Sequence, residues 1–109
     1  MIIAIDFDGT IVTDEYPDIG KPKPEVIEYF RVRKEQGDKF ILWSCRTGEK
    51  LQEAIDYCRW ELNMEFDAVN DNLPEMVEKY GVNCRKVCAD EYWDDRSYPL
   101  HWLYYEDQE

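Results

Sequence analysis

The sequence MIIAIDFDGT, residues 1–10, decides how the rest of the chain is organised. Its first five residues are continuously apolar, which is typical of a strand buried on both faces of a parallel sheet. Asp6 and Asp8 follow at the carboxyl end of this predicted strand, and Gly9 allows a sharp turn after them. Open α/β sheets place their sites outside the carboxyl ends of strands, so chemistry is expected at this acidic pair.

Strand and helix patterns alternate along the remaining chain. This alternation predicts an α/β fold with a parallel sheet and right-handed crossovers. The first strand is expected at the centre, flanked by the strands that end at Ser44 and at Asp94. The other predicted strands are residues 40–43, 66–69 and 87–93, the last with a bend near Asp90, and the predicted helices begin at Pro24, at Thr47 or Gly48, and at Leu73.

Length and composition indicate one globular domain, residues 1–109, in which 44% of the residues are hydrophobic. No apolar run approaches the roughly 20 residues of a membrane span, and the first residues do not resemble a signal peptide. Each of the four cysteines lies in or beside an apolar segment, which suggests reduced, buried thiols and a cytoplasmic location. They are Cys45, Cys58, Cys84 and Cys88.

The formal net charge of −12 narrows the range of partners. Without a basic stripe, such a chain repels a polyanion, so nucleic acid is not expected as a partner. Part of the acidic excess is also what a cation site requires. Solubility alone is the simpler explanation of the charge.

Polar clusters follow three of the predicted strands. Because the carboxyl ends of parallel strands share one edge of a sheet, the three clusters are expected to meet. Each cluster also has a simpler interpretation. The acids could form a turn or cap a helix, the serine could cap a helix, and the arginine could be a solvated surface residue. The clusters are Asp6 with Asp8, Ser44 with Arg46, and Asp94 with Asp95.

The run Asp6-Phe7-Asp8-Gly9-Thr10 resembles the first motif of the haloacid dehalogenase (HAD) superfamily, whose members are mostly phosphatases. The spacing of the three clusters is similar to the HAD pattern across about 90 residues. The resemblance implies a three-layer, Rossmann-like parallel sheet with helices on both faces. Residues 11–23 would form the flap of the family, and they leave no room for a cap domain.

The resemblance also assigns roles to the acids. It implies that Asp6 is the nucleophile that forms an aspartyl-phosphate, and that Asp8 protonates the leaving oxygen and then activates water. Asp94 would be an acidic ligand of Mg²⁺, and Asp95 would reach the metal through water. Asp6, with its side chain, and Asp8, with its backbone carbonyl, would complete the metal site.

Three further residues are assigned to the phosphate. Ser44 matches the hydroxyl of the second HAD motif, and the guanidinium of Arg46 suits bidentate phosphate binding. The family also carries a basic residue, usually lysine, at the start of the helix before the fourth strand. This chain has no lysine there, so Lys79, one turn further along, is the candidate, with Arg46 as a substitute.

The predicted function is therefore a Mg²⁺-dependent phosphatase for a small phosphorylated metabolite. A non-catalytic HAD-like module that binds a metal or a phosphoprotein is the alternative, because it would explain the missing lysine. A phosphoacceptor domain fits less well, since its acceptor lies on a later strand. The aromatic tail, residues 98–109, suggests either a homo-oligomer contact or packing onto its own subunit.

Overall fold

The computed structural model describes residues 1–96, in which strands and helices alternate as expected. The predicted packing of residues 98–109 lies outside the described residues. The elements are β1 (Ile2–Ile5), α1 (Pro24–Glu35), β2 (Lys39–Leu42), α2 (Gly48–Glu61), β3 (Ala68–Val69), α3 (Pro74–Tyr80) and β4 (Glu91–Trp93).

The four strands form one parallel sheet in the order β3-β2-β1-β4. At its carboxyl end, Ile5 of β1 is in register with Leu42 of β2 and with Trp93 of β4. The prediction that the first strand lies between the strands ending at Ser44 and Asp94 is confirmed. The loops that follow β1, β2 and β4 therefore leave the sheet side by side.

Alternate side chains of the buried strands pack into two clusters. Ile3 and Ile5 pack with Phe30 of α1 and with Ala54 of α2. Ala4, between them, packs with the second cluster, which includes Leu73 and Met76 near the start of α3. Because successive side chains of a strand point to opposite faces, continuous apolar sequence here reflects burial on both faces of β1.

The third and fourth strands are shorter than predicted, at two and three residues. Before β4 the chain pairs with β1 partly through a side chain. Asp90 N–H donates to the Ile2 carbonyl, and the Ile2 N–H donates to Oδ2 of Asp90, each over 2.7 Å. The expected bend near Asp90 is thus the point where regular pairing of β4 begins.

A buried asparagine holds the loop that leads from α3 to β4. The Asn72 Nδ2 group donates to Oδ1 of Asn83 and to the Cys84 carbonyl, and its Oδ1 accepts the Cys88 N–H. The amide thus satisfies two backbone groups of a segment that forms no helix or strand. None of the helices within residues 1–96 is long and apolar enough to cross a membrane.

The cysteine prediction is wrong for three of the four thiols. Cys45, Cys84 and Cys88 are exposed, because they lie in loops rather than on the apolar faces of elements. Cys58 is buried in α2, and burial raises the pKa of its thiol to about 12. All four cysteines are free thiols.

Candidate active site at the carboxyl edge of the sheet

Three carboxylates converge where β1 and β4 end. Asp6 directly follows β1, and Asp94 and Asp95 directly follow β4, its parallel neighbour. One oxygen from each of the three side chains lies within 4.8 Å of the others. Asp6 is half-buried and the other two are exposed. A hard divalent cation such as Mg²⁺ prefers oxygen ligands of this kind, so the donor set fits that ion.

The environment of Asp6 disfavours its ionised form. Burial raises the pKa of Asp6 to about 6 from an ordinary value of 3.8, although the Phe7 N–H, which donates to Oδ1, opposes the rise. The negative charges of Asp94 and Asp95 add to the increase. A bound cation would lower the pKa of Asp6 again, because it favours the ionised carboxylate.

Gly9 makes room for the third carboxylate. Its φ is +86°, and a Cβ at this position would overlap the Asp95 carboxylate. The turn after Asp8 and the placement of Asp95 therefore both depend on a residue without a side chain.

We expect Gly9→Ala to weaken Mg²⁺ binding by displacing Asp95. The substitution also places alanine at positive φ, which costs about 1–2 kcal/mol of stability. Gly81→Ala is a matched control, because Gly81 has φ +75° and open space where a Cβ would lie. Both variants should lose stability in thermal melts, but only Gly9→Ala should lose the stabilisation by Mg²⁺. Equal Mg²⁺ responses in the two variants would contradict a role for Asp95 at the site.

The second acid of the motif faces a different partner. Both carboxylate oxygens of Asp8 accept hydrogen bonds from Arg46, one from Nε and one from Nη2, each over 2.8 Å. The pair is a bidentate fork, the strongest geometry for an arginine and a carboxylate. The Asp8 side chain is therefore separate from the cluster formed by Asp6, Asp94 and Asp95. The expectation that only its backbone carbonyl serves a metal remains a prediction.

Arg46 is almost completely buried. Its residual exposure is 2%, and its remaining N–H groups donate to the backbone carbonyls of Pro17, Asp18 and Lys50. The Asp8 carboxylate raises the pKa of Arg46 above its usual range, so the guanidinium stays charged. The phosphate-binding role predicted for Arg46 would require these contacts to be exchanged.

Ser44 lies at the wall of the same site. Its Oγ accepts the backbone N–H of Arg46, so its hydroxyl proton can point elsewhere. The Ser44 N–H in turn donates to Oδ1 of Asn70, which has φ +49° just beyond β3. The loop after β2 is thus fixed by the loop after β3.

A cavity of about 810 Å³ opens at this edge of the sheet. Its volume lies in the usual range for small-molecule sites. Acidic groups lie beside aromatic and basic side chains in its wall. The lining residues are Asp6, Asp8, Asp14, Tyr16, Trp43, Ser44, Cys45, Arg46, Asp94 and Arg96.

A solved structure of a conserved protein from Bacteroides thetaiotaomicron is similar to this chain. The two are 39% identical, and the alignment covers 100% of this chain and 92% of that one, with a TM-score of 0.79. This chain belongs to the family of that conserved protein. No family model matches the chain. No curated protein matches it either.

Lys79, the lysine predicted to bind the phosphate, is not part of the cavity wall. Lys79 is exposed on α3, its Nζ is 5.3 Å from the centre of the Tyr80 ring, and it is not among the residues that line the cavity. A different lysine contacts the motif: Lys23 donates from Nζ to the Gly9 carbonyl over 2.7 Å. No local pattern indicates this contact, because 14 residues separate the two positions.

Two aromatic residues of the site were not predicted from the sequence. Tyr16 places its ring 5.0 Å from the Arg46 guanidinium carbon, and Trp43 lines the cavity after β2. Trp43 could have been found, because it follows a buried strand. Tyr16 could not, since it lies in a loop without periodicity.

Proposed function

We propose that this protein is a Mg²⁺-dependent phosphohydrolase of the HAD type that acts on a small phosphorylated metabolite. The observation that carries the proposal is the convergence of Asp6, Asp94 and Asp95 within 4.8 Å. They meet beside a hydroxyl and a cavity of metabolite size. Packing of α1 and α2 against one face of the sheet, and of α3 against the other, supports the three-layer arrangement without a cap.

Asp6 is the nucleophile in this proposal. One of its carboxylate oxygens bonds to phosphorus, and the bond between phosphorus and the ester oxygen breaks. The leaving oxygen takes a proton from Asp8. Water then attacks the phosphorus of the aspartyl-phosphate and gives a proton back to Asp8, which releases inorganic phosphate and restores Asp6.

Asp8 can exchange a proton while Arg46 holds it, because each carboxylate oxygen has a second lone pair. Each of its oxygens accepts one hydrogen bond from Arg46. An incoming phosphate is itself a good bidentate partner for a guanidinium, so the phosphate-binding role predicted for Arg46 would require the fork to open.

Asp6, Asp94 and Asp95 would hold the magnesium ion. When bound, Mg²⁺ supplies positive charge that offsets the repulsion between an anionic nucleophile and an anionic phosphate ester. Ser44 would donate its hydroxyl proton to a phosphoryl oxygen, since its Oγ already accepts from Arg46. Arg96 lines the cavity and is a further cation on its wall.

One observation favours a non-catalytic metal-binding module as the second candidate. The fork between Asp8 and Arg46 is complete and buried on the arginine side, so the proposed acid and base is held by a structural partner. A module of this kind needs the metal ligands but no mobile proton donor. With either function, the free thiols of this protein suit a reducing compartment such as the cytoplasm.

Release of inorganic phosphate from a panel of phosphomonoesters separates the two candidates. We expect hydrolysis in millimolar Mg²⁺ and none with excess chelator, because three clustered carboxylates cannot approach a phosphate without a cation. Asp56→Asn serves as a control for charge, since Asp56 is an exposed acid of α2 whose carboxylate contacts Gln52. Stabilisation by Mg²⁺ without hydrolysis of any ester would support the binding module instead.

A further inference from the structure

The flap, residues 11–23, is fastened at two levels. At its base, the Thr13 N–H donates to the Lys21 carbonyl and the Lys23 N–H donates to the Ile11 carbonyl, each over 2.8 Å. Its tip, residues 14–18, is exposed. Within the described residues, the hydrogen bonds that join the tip to the sheet edge come from the side chain of Arg46.

Arg46 binds the tip with its guanidinium. Nη2 donates to the Asp18 carbonyl over 2.8 Å, and Nη1 donates to the Pro17 carbonyl over 3.3 Å. The Tyr16 ring lies 5.0 Å from the guanidinium carbon, within reach of a cation–π contact. A second link, the ion pair between Arg96 and Asp14 at 3.6 Å, is exposed and therefore weak.

The same guanidinium orients Asp8. Its Nε and the other hydrogen of Nη2 bind the two oxygens of the Asp8 carboxylate. With the bond to Lys50, all five N–H donors of Arg46 have protein acceptors. A planar fork of this kind fixes direction as well as distance, unlike a lysine ammonium.

We propose that Arg46 is a positioning residue that couples the flap to Asp8, so that the tip of the flap and the Asp8 carboxylate are held or released together. The flap part of this inference is independent of catalysis, and the Asp8 part rests on the proposed phosphohydrolase function. One side chain makes both sets of contacts, so loss of either set weakens the geometry of the other.

Hydrogen exchange of backbone amides tests the coupling without any assay of activity. Asp8→Asn lies outside the flap but removes the charged partner of Arg46. We expect it to speed exchange in residues 13–21 on the order of tenfold, the equivalent of one or two lost hydrogen bonds. Asp6→Asn is the matched control in the same motif, because Asp6 makes no contact with Arg46 within the described hydrogen bonds.

Substitution of Arg46 itself also tests the coupling between the flap and Asp8. Arg46→Gln should speed flap exchange at least as much as Asp8→Asn, whereas exchange in β1 and β2 should change far less. Arg33→Gln is the control for loss of a networked arginine, since Arg33 pairs with Asp38 and Glu91 away from the flap. If Arg46→Gln does not fold, Asp8→Asn and Arg46→Lys still decide the question. Flap exchange unchanged in Asp8→Asn would overturn the proposal.

Kinetics then distinguish positioning from phosphate binding. If Arg46 positions Asp8, Arg46→Lys should lower kcat on the order of 10–100-fold with little change in KM, because misplacement of a catalytic group costs about that much. If Arg46 instead binds the phosphate, KM and the inhibition constant of inorganic phosphate should rise, and kcat should change less. That second pattern would overturn the positioning role. Absence of hydrolysis in the wild-type protein would refute the proposed function, and the exchange results would still decide the coupling.

Discussion

Asp6→Asn should abolish phosphoester hydrolysis while making the metal-free protein more stable. The amide is a poor nucleophile, so turnover should fall by at least about a thousandfold, as expected when a covalent step is lost. The substitution is nearly isosteric, and the amide oxygen can still accept the Phe7 N–H that now donates to Oδ1. Loss of activity should therefore occur without loss of the fold.

The gain in stability follows from the raised pKa of Asp6. Its pKa is about 6 in the folded protein and 3.8 in the unfolded chain, so the native state binds more protons between these values. The contribution of protonated Asp6 to the free energy of unfolding is fully present below about pH 4, and it is lost as the pH rises through about 6. At pH values above about 6, the ionised Asp6 carboxylate lowers the stability of the fold by about 2–3 kcal/mol. This follows from 1.36 kcal/mol per unit of pKa for a half-buried group.

Thermal melts with chelator at pH 8 and near pH 4.5 measure this contribution. At pH 8 we expect Asp6→Asn to melt on the order of 10 °C above the wild type, and the difference should narrow at the lower pH. Asp56→Asn is the control, because its carboxylate is exposed on α2. Near-normal phosphatase activity of Asp6→Asn would refute the aspartyl-phosphate mechanism. An unchanged melting temperature at pH 8 would contradict the burial and repulsion inferred at Asp6.

Mg²⁺ should raise the melting temperature of the wild type, and Asp94→Asn should remove most of that rise. A ligand that binds only the native state stabilises it by about 2.7 kcal/mol at a hundredfold excess over Kd. For a domain of this size, each kcal/mol corresponds to roughly 4–8 °C. Asp94 lies with Asp6 and Asp95 in the cluster and makes its described hydrogen bond only to the Arg96 N–H, so the substitution changes little else.

The comparison needs melts of both proteins in Mg²⁺ and in chelator. Without metal, Asp94→Asn should be as stable as the wild type or more stable, because the negative charge of Asp94 raises the pKa of Asp6. Asp56→Asn should keep the full response to Mg²⁺. An equal rise in the wild type and in Asp94→Asn would show that Asp94 is not a ligand.

Apolar runs in the sequence were sufficient to predict β1 and β2, and the polar clusters at the strand ends predicted the order of the central strands. These strands are buried on both faces, so almost every side chain in them had to be apolar. The ends of the sheet were harder to predict. β3 and β4 have only two and three residues. Just before β4, the Ile2 N–H donates a hydrogen bond to the Asp90 side chain, and no periodicity in the sequence encodes this contact.

The sequence by itself determined that acids, a hydroxyl and an arginine would meet at one edge of the sheet, because strands that run parallel end on the same side. Only the tertiary structure decided which of these side chains face one another. Asp6 joins Asp94 and Asp95, whereas Asp8, two residues later, turns to Arg46, which is 38 positions away. The direction of a side chain beyond a strand end depends on turns such as that at Gly9 and on partners distant in the chain. Local sequence patterns carry no record of either.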